Sequence, residues 1–322
     1  MRQFAKPTIV VSKCLEFDAC RYNGEMIPDV TIRNLQPFVT FIPVCPEVEI
    51  GLGTPRETIR IVEENGENRL VQPSTREDVT EKMEQFSNDF LQTIPDVDGF
   101  ILKNRSPSCG TRDVKIYSGF EKAPAKGKGA GLFGGAVVKN FSHLPIEEEG
   151  RLSNFIIREH FFTRLFTIAY YKMIKHNKNM KELVSFQSDN KYLFMAYNQV
   201  KQKELGRIIA NHKNEKIEVV FENYEKTLYE LFMRAPRYTS NVNVCEHIFG
   251  YFKTKLKKQE KDHFIELLQK YAEKKIPLSS LLTILKSWAI RFDEKYLLRQ
   301  TYFEPYPEAL VEISDSGKGR DY

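Results

Sequence analysis

The chain has 322 residues, 41% of them hydrophobic and 28% charged, and a formal net charge of +5. That length exceeds one ordinary domain and the composition is that of a folded protein, so two cores are expected and a disordered or fibrous chain is excluded. No apolar run approaches the roughly 18 residues of a membrane helix. The opening MRQFAKPTIVVSKC has an apolar run too short for a secretory signal, so a cytoplasmic protein with no membrane partner is expected.

In chain order, TIVVS (Thr8–Ser12), FVTFIPV (Phe38–Val44) and GFILK (Gly99–Lys103) are rich in β-branched and aromatic residues and predict strands. Between the second and third, Val79, Met83, Phe86, Phe90 and Leu91 recur at helical spacing, with Ser74 and Glu77 as a capping box. Strand, helix, strand predicts an α/β domain with a mainly parallel, Rossmann-like sheet over residues 1–151, in which KAPAKGKGAGLFGGA is a flexible Gly/Lys-rich loop before a helix. From Leu152 onward, five amphipathic stretches broken by Asn, Gly and Pro predict an all-α domain over 152–310 and a polar tail over 311–322.

Charge follows the same division. Residues 1–151 carry 19 Lys and Arg against 22 Asp and Glu, whereas 152–322 carry 29 against 21. The basic half fits a polyanion binder, and a solvated lysine-rich helical surface fits it equally well.

In a reducing compartment the five cysteines read as thiols or metal ligands rather than disulfides. Cys14, Cys45 and Cys109 each follow closely on the end of a predicted strand, and in an open parallel sheet such loops gather on one edge. Three thiolates are one short of a filled zinc site or iron–sulfur cluster, which implies a metal centre with one open position. Glu47 in PVCPE, and Ser106 and Ser108 in RSPSCG, would supply the carboxylate and hydroxyl that activating a water needs. The plainer reading is three unrelated loop cysteines.

SKCLEFDACRYNG, PVCPEVEIGLGTPR and KNRSPSCG, with GKGAGLFGGAVV behind them, resemble in order the motif set of the thiouracil desulfidase family across nearly all of residues 8–150. The resemblance implies a 4Fe-4S cluster held by only Cys14, Cys45 and Cys109, with a thiolated pyrimidine binding the open iron through its sulfur. It implies Glu47 as the base that deprotonates water and Ser106 as the hydroxyl that orients it, with no net redox change. Ser108 competes for that last role, because both serines flank Pro107. Cys20, in CRYNG, matches a family cysteine and is assigned as a non-ligand thiol near the site. Cys245, on a predicted helix, is a packing residue.

GAGLFG fits a dinucleotide fingerprint by letter, but it does not follow a predicted strand in a first βα turn, so no dinucleotide is expected. Lys126 and Lys128 beside it, with Lys122, are candidate phosphate contacts. So are Lys253, Lys255, Lys257 and Lys258 in KTKLKKQEKDH, which reads either as a solvated helix face or as a phosphate-contacting one. The six histidines include no close ligand pair and read as ordinary surface or core residues.

NKYLFMAYNQVKQKELGRIIA, NVCEHIFGYFKTKL and PLSSLLTILKSW with YLLRQTYFEPYPEAL resemble the helical domain often fused behind the desulfidase domain, over roughly 155–310. Its fused members are tRNA 4-thiouridine desulfidases, which implies tRNA as partner and the helical domain as its binder. Where that domain often carries histidines, this chain has Gln187, Asn190, Ser287 and Trp288. The expectation is a tRNA 4-thiouridine desulfidase; the alternatives are a non-catalytic iron–sulfur regulator that binds nucleic acid, or a desulfidase of free thiopyrimidine bases.

Overall fold

The computed structural model describes residues 2–120, 124–211 and 214–312. Lys122, His212 and residues 313–322 of the predicted tail lie outside the described residues. Two compact units are present, one running to Ala169 and including 309–312, the other Tyr170–Glu308.

The first unit runs β1 (Thr8–Ser12), α1 (Val30–Leu35), β2 (Thr40–Val44), α2 (Pro46–Glu49), β3 (Arg60–Glu64), β4 (Glu67–Gln72), β5 (Glu77–Asp78), α3 (Thr80–Thr93), β6 (Gly99–Leu102), β7 (Val114–Tyr117), β8 (Ala125–Gly129), α4 (Leu132–Phe141), β9 (Ile146–Glu148) and α5 (Glu149–Leu152). α6 (Phe155–Asn177) follows, and the division between units falls inside it rather than at the change of composition near residue 151.

Four strands form a fully parallel sheet in the order β2-β1-β6-β9. β1 and β6 are its central strands, and Ile9, Val10, Val11, Phe100, Ile101 and Leu102 are all fully buried, as near-continuous apolar runs in a parallel sheet must be. α3 and α4 meet through Phe90 and Phe133, whose ring centroids lie 5.8 Å apart.

A second sheet, of order β5-β4-β3-β7-β8, was not expected. Only its β3–β7 pair is parallel, so "mainly parallel" describes the first sheet alone. β3 and β4 form a hairpin whose turn residues, Asn65 and Gly66, both have positive φ (53° and 85°), the Asn-Gly pattern of a type I′ turn. This sheet also corrects two sequence readings. Ser74 and Glu77 do not form a capping box, because Glu77 pairs with Gln72 in the β4–β5 ladder; α3 starts at Thr80, whose N–H donates to Asp78 Oδ1 at 2.9 Å. And the stretch before GAGLFGG is not a flexible loop but β8, paired with β7.

In the second unit, α7 (Met180–Asp189), α8 (Lys191–Tyr197), α9 (Gln199–Ala210), α10 (Ile217–Leu231), α11 (Tyr238–Phe249), α12 (Lys258–Ala272), α13 (Leu278–Arg291) and α14 (Lys295–Leu298) continue the chain after α6. Asn198 separates α8 from α9, its side chain accepting from the Val200 and Lys201 N–H groups at 3.1 Å each. The core is aromatic. Tyr171 and Tyr224 stack at 5.5 Å, and their buried hydroxyls donate to Phe221 O and Gln187 Oε1 at 2.6 Å each. Among the described residues no helix is long and apolar enough to cross a membrane.

Candidate active site

β1, β2 and β6 are adjacent and parallel, so their C-terminal ends open on one edge of the sheet. Cys14 lies two residues past β1, Cys45 directly past β2 at the N-cap of α2, and Cys109 in the loop after β6. Strand pairing sets them level: Ser12 pairs with Val44, and the Ser12 hydroxyl accepts from the Lys103 N–H at 2.9 Å.

The sulfurs share one neighbourhood. Burial, reinforced by Cys45, pushes the Cys14 thiol up to about 12. Burial, with Cys45 and then Cys14, does the same to Cys20, also to about 12. Cys109 is raised by burial, offset by a hydrogen bond with Ser12 and reinforced by Cys14 and Cys45. A bound cation reverses this balance, since it favours the thiolate that burial disfavours. Cys20 therefore stands beside Cys14 and Cys45, and its carbonyl receives the Cys45 thiol at 3.8 Å. Among the described residues no group of three or more His, Cys, Asp and Glu side chains closes on a single-ion position.

Glu47, in the first turn of α2, reaches the same edge. Ser108 Oγ donates to Glu47 Oε1 at 2.6 Å and lies 3.8 Å from Cys109 Sγ. Ser106 Oγ is 2.9 Å from Ser108 Oγ, but it also accepts from the backbone N–H groups of Ser108 (3.3 Å) and Cys109 (3.1 Å). Ser106 thus closes the turn, and Ser108 is the serine that contacts the carboxylate. The other carboxylate oxygen, Oε2, accepts from Arg56 Nε at 2.8 Å and Nη2 at 2.6 Å. Arg56 Nη1 donates to the carbonyls of Cys20 (2.9 Å) and Gly53 (2.8 Å), so one guanidinium ties Glu47 to the segment carrying Cys20.

The cysteine loop is gripped at both ends. Glu149 accepts from the Asn104 N–H at 2.7 Å and pairs with Lys103, while Glu148 accepts from the Thr111 N–H at 2.7 Å and its hydroxyl at 3.0 Å. The glycines of GAGLFGG cradle it: Gly134 N–H donates to Ser108 O at 2.9 Å, and a Cβ on Gly134 would stand 2.3 Å from Gly110 O and 2.4 Å from Cys109 O. Close packing on this loop accounts for Gly131, where a Cβ would stand 2.5 Å from Ser108 O, and for Gly134.

Sequence reasoning missed Arg56, Ser12, Glu148 and Glu149. Arg56 ends the motif PVCPEVEIGLGTPR and was in view, but nothing local tells that it turns back to Glu47. The six candidate lysines among the described residues divide between the units. Lys126 pairs with Glu63, and Lys128 with Asp113 at 3.2 Å. Lys253–His263 is not one helix face, because α12 begins only at Lys258. Lys253 sits over the Phe249 ring and Lys255 pairs with Glu294, while the exposed Lys257 gives its backbone N–H to Glu260 at 2.8 Å. Of the positions lacking the family's histidines, Ser287 is exposed and the other three are buried and structural. Gln187 accepts from Tyr224, Asn190 Oδ1 accepts from Thr301 Oγ1 at 2.7 Å, and Trp288 packs on Phe264 at 5.3 Å. Cys245 is buried in the same core, 3.8 Å from the Tyr302 hydroxyl, as a packing residue.

A carboxylate and a hydroxyl, hydrogen-bonded to each other, stand among thiols at the edge of a parallel sheet. Residues 9–149 match the family model described as 2-thiouracil desulfurase, and 191–307 match one described as a protein of unknown function, DUF1722. The chain is 36% identical over 118 residues to the uncharacterized protein YbbK of Bacillus subtilis, covering 34% of this chain and 77% of that one. It is 23% identical over 156 residues to the uncharacterized protein YbgA of Escherichia coli, covering 48% and 92%. Among solved structures, the 4Fe-4S-dependent thiouracil desulfidase TudS matches 46% of this chain and 93% of its own at 26% identity, with a TM-score of 0.36. The chain belongs to the 2-thiouracil desulfurase family through its first unit and carries the DUF1722 domain in its second.

Proposed function

We propose that this protein hydrolytically removes sulfur from 4-thiouridine in tRNA, with Cys14, Cys45 and Cys109 holding a 4Fe-4S cluster that leaves one iron without a cysteine. The observation that carries the reading is the Ser108–Glu47 hydrogen bond of 2.6 Å, made one residue from Cys109. A centre that only stored or sensed electrons would need neither group. The donor set fits the cluster: three soft sulfurs in the segments that follow three adjacent strands, mostly shielded from water, with Lys103 near Cys14 to offset negative charge.

When bound, the cluster supplies an iron to which a thiocarbonyl sulfur can coordinate, which makes the attached carbon electrophilic. The remaining work belongs to the side chains. Glu47 Oε1 takes the proton of the attacking water, and Ser108 Oγ, already aligned on that oxygen, orients the water. Arg56 holds Oε2 and so aims Oε1 at Ser108. Ser106, engaged with two backbone N–H groups, fixes the turn, which favours Ser108 for the orienting role. The carbon–sulfur bond is replaced by carbon–oxygen, and sulfur leaves as hydrosulfide without net electron transfer.

The excess of basic residues over 152–322 supports tRNA as the substrate. The deciding experiment is anaerobic purification, reconstitution with iron and sulfide, and measurement of the near-ultraviolet absorption of 4-thiouridine in bulk tRNA. Loss of that band with release of sulfide establishes the activity. A fully loaded protein that acts on free 4-thiouracil but leaves tRNA untouched rejects the tRNA assignment.

A further inference from the structure

The chemistry above gives Cys20 nothing to do, although it is buried among the other cysteines of the first unit. Of the side chains around it, Cys45 acts on its thiol most strongly and Cys14 next, and the Cys45 thiol donates to its carbonyl at 3.8 Å. Cys109 interacts with the same Cys14 and Cys45, so four thiols converge on one edge of the sheet. A cysteine that served packing alone would sit among aliphatic neighbours.

The loop between β1 and α1 carries two of the four and holds them by different means. At its base, the Ile27 N–H donates to Cys14 O at 2.8 Å and the Glu16 N–H to Ile27 O at 3.1 Å, so backbone contacts fix Cys14 at the end of β1. Cys20 is held from outside the loop. Arg56 Nη1 donates to Cys20 O at 2.9 Å and the Arg56 N–H to Tyr22 O at 2.8 Å, while Nη2 of the same side chain holds Glu47 Oε2 at 2.6 Å. The guanidinium that aims Glu47 thus also anchors Cys20, and the fourth sulfur shares its support with the group assigned to the attacking water.

Charge and chemistry agree with this placement. Lys13, paired with Asp18 at 2.9 Å, lies within electrostatic reach of the Cys20 sulfur, so a thiolate there has a cation beside it. A single ion would need its ligands to close on one point, but the irons of a cluster occupy separate corners and each takes its own sulfur. An iron without a protein ligand takes water from solvent, and a thiol tethered beside it competes at an effective concentration on the order of millimolar.

We infer that Cys20 is an exchangeable fourth ligand: between turnovers its sulfur covers the iron that Cys14, Cys45 and Cys109 leave free, and the sulfur of the substrate displaces it. The inference rests on the desulfidase reading for the cluster and for the displacing sulfur. Covering the iron releases the Cys20 proton to solvent, displacement recovers a proton, and no electron is transferred in either direction. Only a soft donor competes with a thiolate for this position, so a thiocarbonyl uncovers it and the carbonyl oxygen of the desulfurated product does not. The cover also lowers apparent affinity for every external ligand, by the fraction of protein that is uncovered.

The test uses the full-length protein, reconstituted anaerobically with Mössbauer-active iron and freed of excess sulfide, as the wild type, Cys20→Ala and Cys20→Ser. The spectra are read without turnover. In the wild type all irons should be alike, each with four sulfur neighbours, whereas in both variants one iron should stand apart with an oxygen neighbour. Hydrosulfide, the product, then probes the same position through the visible absorption of the cluster. It should bind at least about tenfold more tightly to Cys20→Ala than to the wild type, because no internal thiol has to be displaced. A wild-type spectrum that already contains the distinct iron, unchanged by either substitution, overturns the inference. So does equal affinity for hydrosulfide, and so does loss of all iron from both variants, which would make Cys20 a permanent ligand. The two readings fail separately: uniform irons and tighter hydrosulfide binding by Cys20→Ala, in a protein that desulfurates neither tRNA nor free 4-thiouracil, reject the desulfidase reading and leave Cys20 as the exchangeable ligand. Turnover by a protein whose resting spectrum shows the distinct iron rejects the role of Cys20 alone.

Discussion

Ser108 and Glu47, 61 positions apart, are joined by a 2.6 Å hydrogen bond that connects the loop after β6 to the first turn of α2. Ser106, two residues away, instead binds the loop's own backbone. The two alanine variants should therefore fail differently. Ser108→Ala is expected to lower kcat by about 10²-fold or more while keeping the cluster's visible absorption. Ser106→Ala is expected to cost about 1 kcal/mol of stability and some cluster retention, with turnover per loaded cluster changed less. Iron content, absorption and single-turnover rates on both variants distinguish these outcomes; the reverse ranking assigns the water to Ser106.

The Arg56–Glu47 pair is buried, with side chains 4% and 12% exposed. Removing one partner leaves the other charge without compensation, so Arg56→Ala should destabilise the first unit by about 3 kcal/mol. Adding Glu47→Gln should recover part of that loss, which a double-mutant cycle in urea measures. Additive losses would mean that the pair contributes no coupling. Glu47→Gln alone should abolish desulfuration while leaving the cluster bound.

Gly134 and Gly135 are neighbours in α4 with opposite constraints. A Cβ on Gly134 would stand 2.3 Å from Gly110 O, whereas on Gly135 its nearest contact is the Ala130 Cβ at 3.4 Å. Gly134→Ala should displace the Cys109 loop and abolish iron binding. Gly135→Ala should retain iron and gain up to about 1 kcal/mol from helix propensity. Iron content and thermal unfolding of the pair check both statements.

His160 and Glu159, adjacent on α6, give opposite pH dependences. His160 is 3% exposed, and burial, then Arg164, lower its pKa to about 3, so its neutral form favours folding. Its contribution is intact above 6.5 and is lost on acidification, by about 2 kcal/mol between pH 6.5 and 5. Glu159 is raised to about 7 by burial, partly countered by Arg158, so its contribution is intact below about 4.5 and is lost as pH rises to 7. Relative to the wild type, Glu159→Gln should gain stability at pH 7 over pH 5, and His160→Gln should gain at pH 5 over pH 7. Parallel urea curves for all three proteins at both pH values would contradict the pair of signs.

By itself the sequence determined the local elements and the chemical inventory. The β-branched runs of β1, β2 and β6 and the long apolar stripe of α6 carry their own periodicity, and parallel strands in series must bring the Cys14, Cys45 and Cys109 loops to one edge. The Asn65–Gly66 turn was also written in the sequence, but β3, β4, β7 and β8 are short and largely polar, so their sheet appears only once the strands find one another. The tight β4–β5 pairing of Gln72 with Glu77 overrode the capping signal at Ser74 and Glu77. Tertiary structure alone decided which serine meets Glu47, that Arg56 holds it, and that the same guanidinium reaches the Cys20 carbonyl. Those contacts, from 9 positions apart for Arg56 and Glu47 to 61 for Ser108 and Glu47, are set by strand register and loop closure, and no helical or strand periodicity encodes them.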